Sequence, residues 1–338
     1  MFLPPRFPTA LARGARMLFE PTAPVLVQMV VTRRCNLSCG YCNEYDDVSD
    51  PIPFERLQKQ IDHVAALGTI VLTFTGGEPL LHPQLDELVA YGVSKGLVVT
   101  SITNGYPVTR KWIERLNAAQ LSFLQISIDN LEPNDVSQKS LSKISKKLEL
   151  LKEYAKFGVN VNAVLGSSPP EATRELVNTI EKHGFYMTVG LMHGPDGALD
   201  AGLAGHELAA LYRELRDRSK KTIFHKGGEG WEDVMIEGGT SPFKCRAGSR
   251  YLYVDEFGKV SYCSQRRGEP GTPLLEYSRK DMRVAFDAPK GCEDKCTIAC
   301  VRRASVYDGW RSQSGAPVPP PRAVTLAGDS NRHLPIVS

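Results

Sequence analysis

Short hydrophobic runs alternate with longer amphipathic segments from Val25 to about His193. The six runs lie at residues 25–31, 69–75, 97–103, 121–128, 159–165 and 186–192. Between them, five segments have apolar positions with helical spacing, near residues 53–67, 83–95, 109–118, 137–157 and 171–183. Strands that alternate with helices in this way are typical of a parallel sheet. We therefore expect an α/β fold whose sheet is wound as an open barrel or as a doubly wound layer.

Polar motifs follow each of the first four predicted strands. They are "CNLSCGYC" (35–42), "GGEP" (76–79), "TNG" (103–105) and "SID" (127–129). Right-handed crossovers bring the carboxyl ends of parallel strands to one edge of the sheet, and in barrels the chemistry occurs at that edge. We therefore expect the four motifs to meet at one rim.

The first motif holds three cysteines, Cys35, Cys39 and Cys42, which is an unusual number for a thiol site. A structural zinc ion takes four protein ligands, and disulfides take cysteines in pairs. Three thiolates on one loop can instead hold three irons of a [4Fe–4S] cluster, a cofactor that is normally held by four cysteines. The fourth iron is then open to a small molecule. A structural zinc site or an unmodified loop is the alternative interpretation.

The spacing C-x3-C-x2-C, with Tyr41 directly before the last cysteine, resembles the signature of the radical S-adenosylmethionine (radical SAM) superfamily. The resemblance covers about residues 25–193 and implies a partial (β/α)6 barrel. It also implies that S-adenosylmethionine chelates the open iron of the cluster through its amino and carboxylate groups. One electron from the cluster would then cleave this cofactor to a 5′-deoxyadenosyl radical, which takes a hydrogen atom from the substrate. A reductant such as flavodoxin or ferredoxin would supply the electron.

The same resemblance implies roles for residues in the other rim motifs. The "GGEP" loop resembles the loop that hydrogen-bonds the methionyl amino group, since adjacent glycines allow close approach and a carboxylate can pair with an ammonium. The residues of that loop are Gly76, Gly77, Glu78 and Pro79. By the same resemblance, the family's positions near the ribose and the methionine carboxylate of the cofactor correspond to Thr103, Asn104, Ser127 and Asp129. Asn162 is a further candidate for the cofactor site, and His193 and Asp196 are candidates for facing the substrate. For Ser127, Asp129, His193 and Asp196, the alternative is that the side chain is simply a polar residue at a strand end or in a loop, without a functional role.

A second group of cysteines follows the predicted barrel, at Cys245, Cys263, Cys292, Cys296 and Cys300. Between the first two, "YLYVDEFGKVSYC" predicts a hairpin, and the spacing C-x12-G-x4-C resembles the start of SPASM and twitch extensions. That resemblance implies an auxiliary [4Fe–4S] cluster, and five cysteines favour a single one. Helical residues four apart share a face, so Cys296 can pair with either Cys292 or Cys300 beside Cys245 and Cys263. Structural zinc is the alternative for this module.

These patterns divide the chain into five parts: a leader (1–24), the barrel core (25–205), a linker helix with a glycine-rich loop (206–240), the auxiliary cluster module (241–310) and a tail (311–338). We expect the leader to form a short helix near residues 9–19, or else to touch a lipid surface through Phe2, Leu3 and Phe7. The tail is rich in Pro, Gly and Ser, and we expect it to be disordered.

Composition excludes several classes of protein. With 42% hydrophobic and 23% charged residues and a net charge of +3, the chain of 338 residues has the composition of a soluble globular protein and lacks the basic charge of a nucleic-acid binder. It has no apolar run of about 18 residues and no signal-peptide core. Since the eight cysteines lie in two clusters, we expect a reducing, cytoplasmic location. The lysine-rich segment at 137–156 predicts an amphipathic helix with a solvated basic face.

Three hypotheses describe the substrate. The first is a small molecule such as a sugar, a cyclitol or a lipid precursor. The second is a ribosomally made peptide, although only about 24 residues precede the first strand, too few for the winged-helix domain that such maturases often carry. The third is a non-catalytic iron–sulfur protein, which the "GGEP" loop argues against because an electron carrier has no use for an amino-acid-binding loop.

Overall fold

The computed structural model describes residues 20, 22–194, 197–199, 205–219, 231–306 and 308. The expected leader helix, most of the expected glycine-rich loop, the expected disordered tail and the candidate residue Asp196 lie outside the described residues. Within these ranges, every helix is too short or too polar to cross a bilayer.

The six strands and five helices predicted for the core are confirmed. The strands are β1 (Leu26–Thr32), β2 (Val71–Gly76), β3 (Val98–Thr103), β4 (Phe123–Ser127), β5 (Gly158–Leu165) and β6 (Tyr186–Leu191). The helices are α1 (Phe54–Leu67), α2 (Leu85–Ser94), α3 (Arg110–Ala118), α4 (Leu141–Tyr154) and α5 (Pro170–Lys182). Consecutive strands pair in parallel from β1 to β6. This is the parallel α/β sheet of a partial barrel.

Side-chain pattern explains these elements. Strand β1 has Val27, Met29 and Val31 on one face without measurable exposure, and Val30 on the other face is 1% exposed. Burial on both faces is usual in parallel sheets. Helix α1 turns Leu57 and Ile61 to the core and its polar residues to solvent. Such burial of apolar area is the main stabilising contribution to the fold.

The C-terminal strands extend the same sheet. In the described part of the chain, nine strands follow the order β6-β5-β4-β3-β2-β1-β7-β8-β9. The last three are β7 (Tyr251–Val254), β8 (Lys259–Ser261) and β9 (Pro270–Pro273). Strands β7 and β8 form the predicted antiparallel hairpin, and β7 also pairs in parallel with β1, where Leu26 is opposite Tyr251. The second cysteine group is therefore built onto the open edge of β1.

Further helices complete the molecule: α6 (His206–Ser219), α7 (Trp231–Ile236), α8 (Arg279–Asp287) and α9 (Ala299–Val306). A buried ion pair joins the C-terminal helices to the sheet. Arg250 Nε and Nη2 donate to the carboxylate of Asp308 at 2.6 and 2.9 Å, and each side chain is 1% exposed. Arg250 also donates to the carbonyl oxygen of Ala23 at 2.9 Å, which ties this pair to the segment that enters β1.

The expectation of a common helix for the last three cysteines is wrong. Cys292 precedes a short 3-10 helix (Glu293–Lys295), Cys296 follows it with extended backbone (ψ 126°), and Cys300 lies in α9. The helix is interrupted because the next residue, Thr297, donates both its N–H and its hydroxyl to the carbonyl oxygen of Gly197, at 2.9 and 3.0 Å. The spacing of four residues therefore does not align these thiols.

Candidate functional site

The first two rim loops are bonded to each other by their backbones. Gly77 N–H donates to Thr32 O at 2.8 Å, and Glu78 N–H donates to Arg34 O at 2.9 Å. A side chain at Gly77 would collide with the carbonyl oxygens of Arg33 and Arg34, and Gly76 has a φ of 123°. The paired glycines are thus required for the second loop to lie directly on the cysteine loop.

A pocket of about 450 Å³ opens at this rim. Cys35, Cys39 and Cys42 all line it. Of the residues predicted to bind the cofactor, those that line it are Gly76, Gly77, Pro79, Thr103, Asn104 and Ser127. His193 lines it as well, whereas the lining does not include Glu78, Asp129 or Asn162. The structure therefore brings motifs from all four rim loops to one pocket.

The three thiols of the first group are free and face polar hydrogens. Leu37 N–H donates to Cys35 Sγ at 3.4 Å, and Gln138 N–H donates to Cys39 Sγ at 3.3 Å. Burial raises the pKa of Cys35 to about 11 and also raises the pKa of Cys42. A metal cluster favours the thiolate form that burial disfavours, so binding and deprotonation are coupled. Free thiols with amide donors on one pocket wall fit a [4Fe–4S] cluster.

In the described ranges, no three His, Cys, Asp or Glu side chains are close enough together to hold one metal ion. A cubane cluster does not require that spacing, because each thiolate binds a different iron.

Glu78 lies beneath the pocket and accepts hydrogen bonds from the residues that form its base. Its Oε1 accepts hydrogen bonds from the hydroxyl of Thr103 at 2.7 Å and from Leu80 N–H at 3.0 Å. Its Oε2 accepts from Asn104 N–H at 2.7 Å. Burial raises the pKa of Glu78 to about 6, although these three donors oppose the shift. The carboxylate thus fixes the "TNG" loop against the "GGEP" loop.

Asp129 is also buried, and it binds the cysteine loop. Its Oδ2 accepts from the hydroxyls of Tyr41 at 2.8 Å and Ser137 at 2.7 Å, and its Oδ1 accepts from Val164 N–H at 3.0 Å. Tyr41, the aromatic residue of the cysteine motif, is therefore oriented by the fourth strand's carboxylate. Asn162 is bonded to Thr188, whose hydroxyl donates to Asn162 Oδ1 at 2.9 Å.

Lys139 is a pocket residue that the sequence pattern misses, because the pattern predicts a solvated basic face for its segment. Its Nζ donates to Tyr41 Oη at 2.6 Å and lies 4.0 Å from Asp129 Oδ2. Burial opposes its charge, but the nearby acidic groups of Tyr41 and Asp129 raise its pKa well above the usual range. The one signal for its role is position, since Lys139 precedes the first residue of α4 and so belongs to the rim loop.

Glu44 is a second pocket residue without a sequence signal, and it connects the cysteine loop to β7. The hydroxyl of Tyr253 donates to Glu44 Oε1 at 2.9 Å, and Arg267 Nη1 donates to that hydroxyl at 2.9 Å. Arg33 Nη1 donates to Glu256 Oε1 at 3.2 Å, a second bond between the same two regions. Burial raises the pKa of Glu44. The auxiliary module therefore contributes directly to one wall of the site.

The second cysteine group is free of disulfides and largely buried. Cys245, Cys263 and Cys296 are 4%, 7% and 6% exposed. Burial raises the pKa of Cys263 to about 12 and raises that of Cys296, where negative charge on Cys245, Cys263 and Cys292 adds to the effect. Burial raises the pKa of Cys300, and the neighbouring hydroxyl of Tyr251 opposes that rise. The thiols of the second group are therefore close enough to act on one another electrostatically.

Comparison with known proteins agrees with this geometry. The sequence model of the Radical SAM superfamily matches residues 29–196. The chain belongs to the radical SAM superfamily. The matched region runs from β1 to just past β6, so it contains the cysteine loop and all four rim motifs. The chain is accordingly a radical SAM enzyme with a [4Fe–4S] cluster and S-adenosylmethionine as cofactors.

Relatives and a solved structure extend the comparison. An AdoMet-dependent heme synthase of Methanosarcina barkeri (strain Fusaro / DSM 804) is 27% identical over 285 residues, which cover 73% of this chain and 78% of the relative. A PqqA peptide cyclase of Xanthomonas oryzae pv. oryzae (strain MAFF 311018) is 33% identical over 119 residues, 32% of this chain and 30% of the cyclase. Streptococcus suis SuiB bound to precursor peptide SuiA has the same radical SAM fold, with a TM-score of 0.60 and 17% identity over 84% of this chain and 69% of SuiB.

Proposed function

We propose that this radical SAM enzyme is a maturase that modifies a peptide. Two comparisons support the proposal: a peptide cyclase shares 33% identity with the chain over 119 residues, and SuiB, whose structure holds a precursor peptide, shares its fold. They favour a peptide over the sugar, cyclitol or lipid precursor of the first hypothesis.

The observation that carries the proposal is the pocket, where the three cysteines meet the other rim motifs. A volume of about 450 Å³ is at the low end for a ligand site. Since the cluster and S-adenosylmethionine would occupy most of this volume, a long substrate would present one reacting group at the mouth of the pocket while the rest of its chain lies outside. Two side chains of opposite charge, Lys139 and Glu44, line the pocket and could orient that group.

In this proposal Cys35, Cys39 and Cys42 hold the cluster, and the cofactor lies against the "GGEP" and "TNG" loops. Together the cluster and S-adenosylmethionine supply the hydrogen-abstracting chemistry. Asn104 Nδ2 donates to Asn36 Oδ1 at 2.8 Å, which keeps the third rim loop in contact with the cysteine loop. Lys139 presents an ammonium group to the same pocket, where it can bind a carboxylate.

We further propose that Cys245, Cys263, Cys292 and Cys296 hold an auxiliary [4Fe–4S] cluster. The hydroxyl of Tyr251 next to Cys300 donates to Gln28 Oε1 at 2.6 Å and is thereby fixed in the sheet, which supports leaving Cys300 out of the set. Electron supply by a flavodoxin or a ferredoxin is part of the same proposal.

The substitution Cys39→Ala tests the first cluster. Anaerobically reconstituted wild-type protein should bind about eight irons, and the variant about four, if each site holds one cubane. Reduced wild-type enzyme should release 5′-deoxyadenosine from S-adenosylmethionine, whereas the variant should not, because one iron loses its thiolate. Ser38→Ala, an exposed change in the same loop, should leave both readouts unchanged. Cofactor cleavage by Cys39→Ala would contradict the assignment of the three cysteines.

A short peptide encoded next to this gene is the substrate to test. Incubation with the reduced enzyme and S-adenosylmethionine should change the mass of that peptide, and Glu44→Gln should reduce peptide modification more than it reduces 5′-deoxyadenosine release. Unchanged peptide together with active cofactor cleavage would contradict the peptide proposal and leave the radical SAM assignment intact.

A second candidate function is tetrapyrrole modification. It is favoured by the heme synthase, whose similarity covers 73% of this chain and 78% of that protein and so extends well beyond the common core. An enzyme of this kind should convert an added iron porphyrin to heme, which absorbance spectroscopy detects. An unaltered porphyrin spectrum in the presence of cofactor cleavage would exclude this function.

A further inference from the structure

Lys290 is a buried cation beside the second cysteine group. Its residue is 4% exposed, and it lies between α8 and Cys292. Its Nζ donates to the backbone carbonyl oxygens of Ala288 at 2.8 Å, Cys245 at 3.3 Å and Ala285. These three bonds hold the ammonium in one position against the chain at Cys245.

The charge of this ammonium is not balanced by a carboxylate in the way that neighbouring charges are. Arg246 pairs with Asp287 at 2.7 Å and Arg250 pairs with Asp308 at 2.6 Å, whereas the ion pairs found among the described residues do not include Lys290. Glu293 accepts the backbone N–H of Lys290 at 2.8 Å instead of its side chain. Carbonyl dipoles solvate a cation, but they leave its net charge in place.

A buried cation without an ion-pair partner is unfavourable, and burial lowers the pKa of Lys290, so an anionic group close by would stabilise its charged form. The nearest chemistry of that kind is the set of thiols itself. The positive charge of Lys290 acts on Cys245, that of Arg266 on Cys292, and that of Arg303 on Cys300. Glu293 acts on this charge from beyond ion-pair distance, and the ring of Tyr262 lies 5.1 Å from Nζ. Thiolates bound to a cluster would therefore add the negative charge that no ion pair of Lys290 supplies.

The two cysteine groups differ in this respect. At the first group the cation is Lys139, whose charge is shared with Asp129 and Tyr41. At the second group the Nζ of Lys290 donates to backbone carbonyl oxygens and lies 5.1 Å from the ring of Tyr262, and it forms no ion pair with a carboxylate in the described part of the chain. Positive charge and hydrogen bonds near a cluster stabilise its reduced, more negative state and so raise its reduction potential.

We propose that the Lys290 ammonium is the built-in counter-charge of the auxiliary cluster and sets its reduction potential above the value that the thiolates alone would give. Lys290 is a positioning residue in this role, since it acts through the cluster and touches no substrate. The inference rests on the proposed auxiliary cluster. Through its positive charge, Lys290 makes the auxiliary cluster the better electron acceptor of the two clusters.

The test compares Lys290→Met, Lys290→Arg and wild type, each reconstituted anaerobically as the full chain. Iron content gives the number of clusters bound per chain, and an EPR-monitored redox titration gives the midpoint potential of each cluster. Lys290→Met keeps the length of the side chain and removes its charge, so the midpoint potential of the auxiliary cluster should fall. We expect about a tenfold change in the reduction equilibrium, which is about 59 mV for a one-electron couple. Lys290→Arg should retain most of the wild-type potential, and the first cluster should not shift in either variant.

Lys295→Met is the matched control, because Lys295 is exposed and adjacent to Cys296 in sequence, yet should leave both potentials unchanged. Loss of the auxiliary cluster in Lys290→Met with retention in Lys290→Arg would also support the proposal, since charge would then be required for assembly. An unchanged potential in Lys290→Met, or loss of the cluster in both variants, would overturn it. Wild-type protein with about four irons and intact cofactor cleavage would instead refute the auxiliary cluster itself.

Discussion

At the scale of single residues, Glu78 combines full burial with three hydrogen bonds from two neighbouring loops. Burial raises its pKa from 4.5 to about 6. Between those pH values the folded protein holds the proton more tightly than the unfolded chain does. The stabilisation this gives is therefore present below about pH 4.5 and is lost as the pH rises through about 6.

Glu78→Gln should remove this dependence, since an amide does not titrate. Compared with the variant, the wild type should lose about 2 kcal/mol of unfolding free energy between about pH 4 and pH 7. Urea unfolding of the cluster-free proteins at several pH values measures the difference. Glu87→Gln, a change at an exposed carboxylate on α2, should follow the wild-type curve. A constant difference between wild type and Glu78→Gln across the range would show that the carboxyl of Glu78 does not titrate in this window.

At the scale of secondary-structure elements, the pair of Arg250 and Asp308 holds the end of the C-terminal helices against the sheet. Asp308→Asn should lower the free energy of unfolding by about 3 kcal/mol or more, because it leaves the guanidinium of Arg250 buried without its counter-charge. Equilibrium denaturation measures this change.

Two controls distinguish lost charge pairing from general damage. Glu114→Gln breaks the exposed pair of Arg110 and Glu114 and should cost less than about 1 kcal/mol. The double change Arg250→Met with Asp308→Leu should destabilise less than Asp308→Asn, because no charge is left buried. A double variant as unstable as the single one would attribute the effect to packing.

The strands and helices of the core can be predicted from the sequence because the spacing of apolar residues in each segment shows which of its faces is buried. The apolar run of β1 and the helical spacing of α1 follow directly from which faces are covered. Lys139 is not predictable in this way, because its partners Tyr41 and Asp129 are brought near it by the tertiary fold. The pairing of β1 with β7 has no local signal either, since strand partners distant in sequence are selected by the whole sheet. For the same reason the motifs locate the rim, but the wall that Glu44 shares with Tyr253 requires the structure.

At the scale of the whole molecule, the cofactor site is formed by loops from several strands, so ligand binding should stabilise the entire sheet. For a protein with its cluster in place, S-adenosylmethionine at about 100 times its Kd should add about 2.7 kcal/mol to the unfolding free energy. The thermal midpoint, measured anaerobically with and without the cofactor, records this gain.

Removal of iron with a chelator should abolish the gain, because the cofactor loses the metal that it chelates. Cys39→Ala should behave like the chelated protein. An equal rise of the thermal midpoint in cluster-free protein would mean that S-adenosylmethionine binds without the iron, which contradicts the proposed site.

The position of β1 has a consequence for how this protein is made. One neighbour of β1 is β2, and the other is β7, where residue 26 pairs with residue 251. During synthesis one edge of an apolar strand therefore stays without hydrogen-bond partners until the ribosome has completed nearly the whole sheet. A nascent chain that stalls before residue 245 would expose this edge directly ahead of the first cysteine loop. The edge of β1 that leads into the first cysteine loop is therefore completed only after β7 has been synthesised.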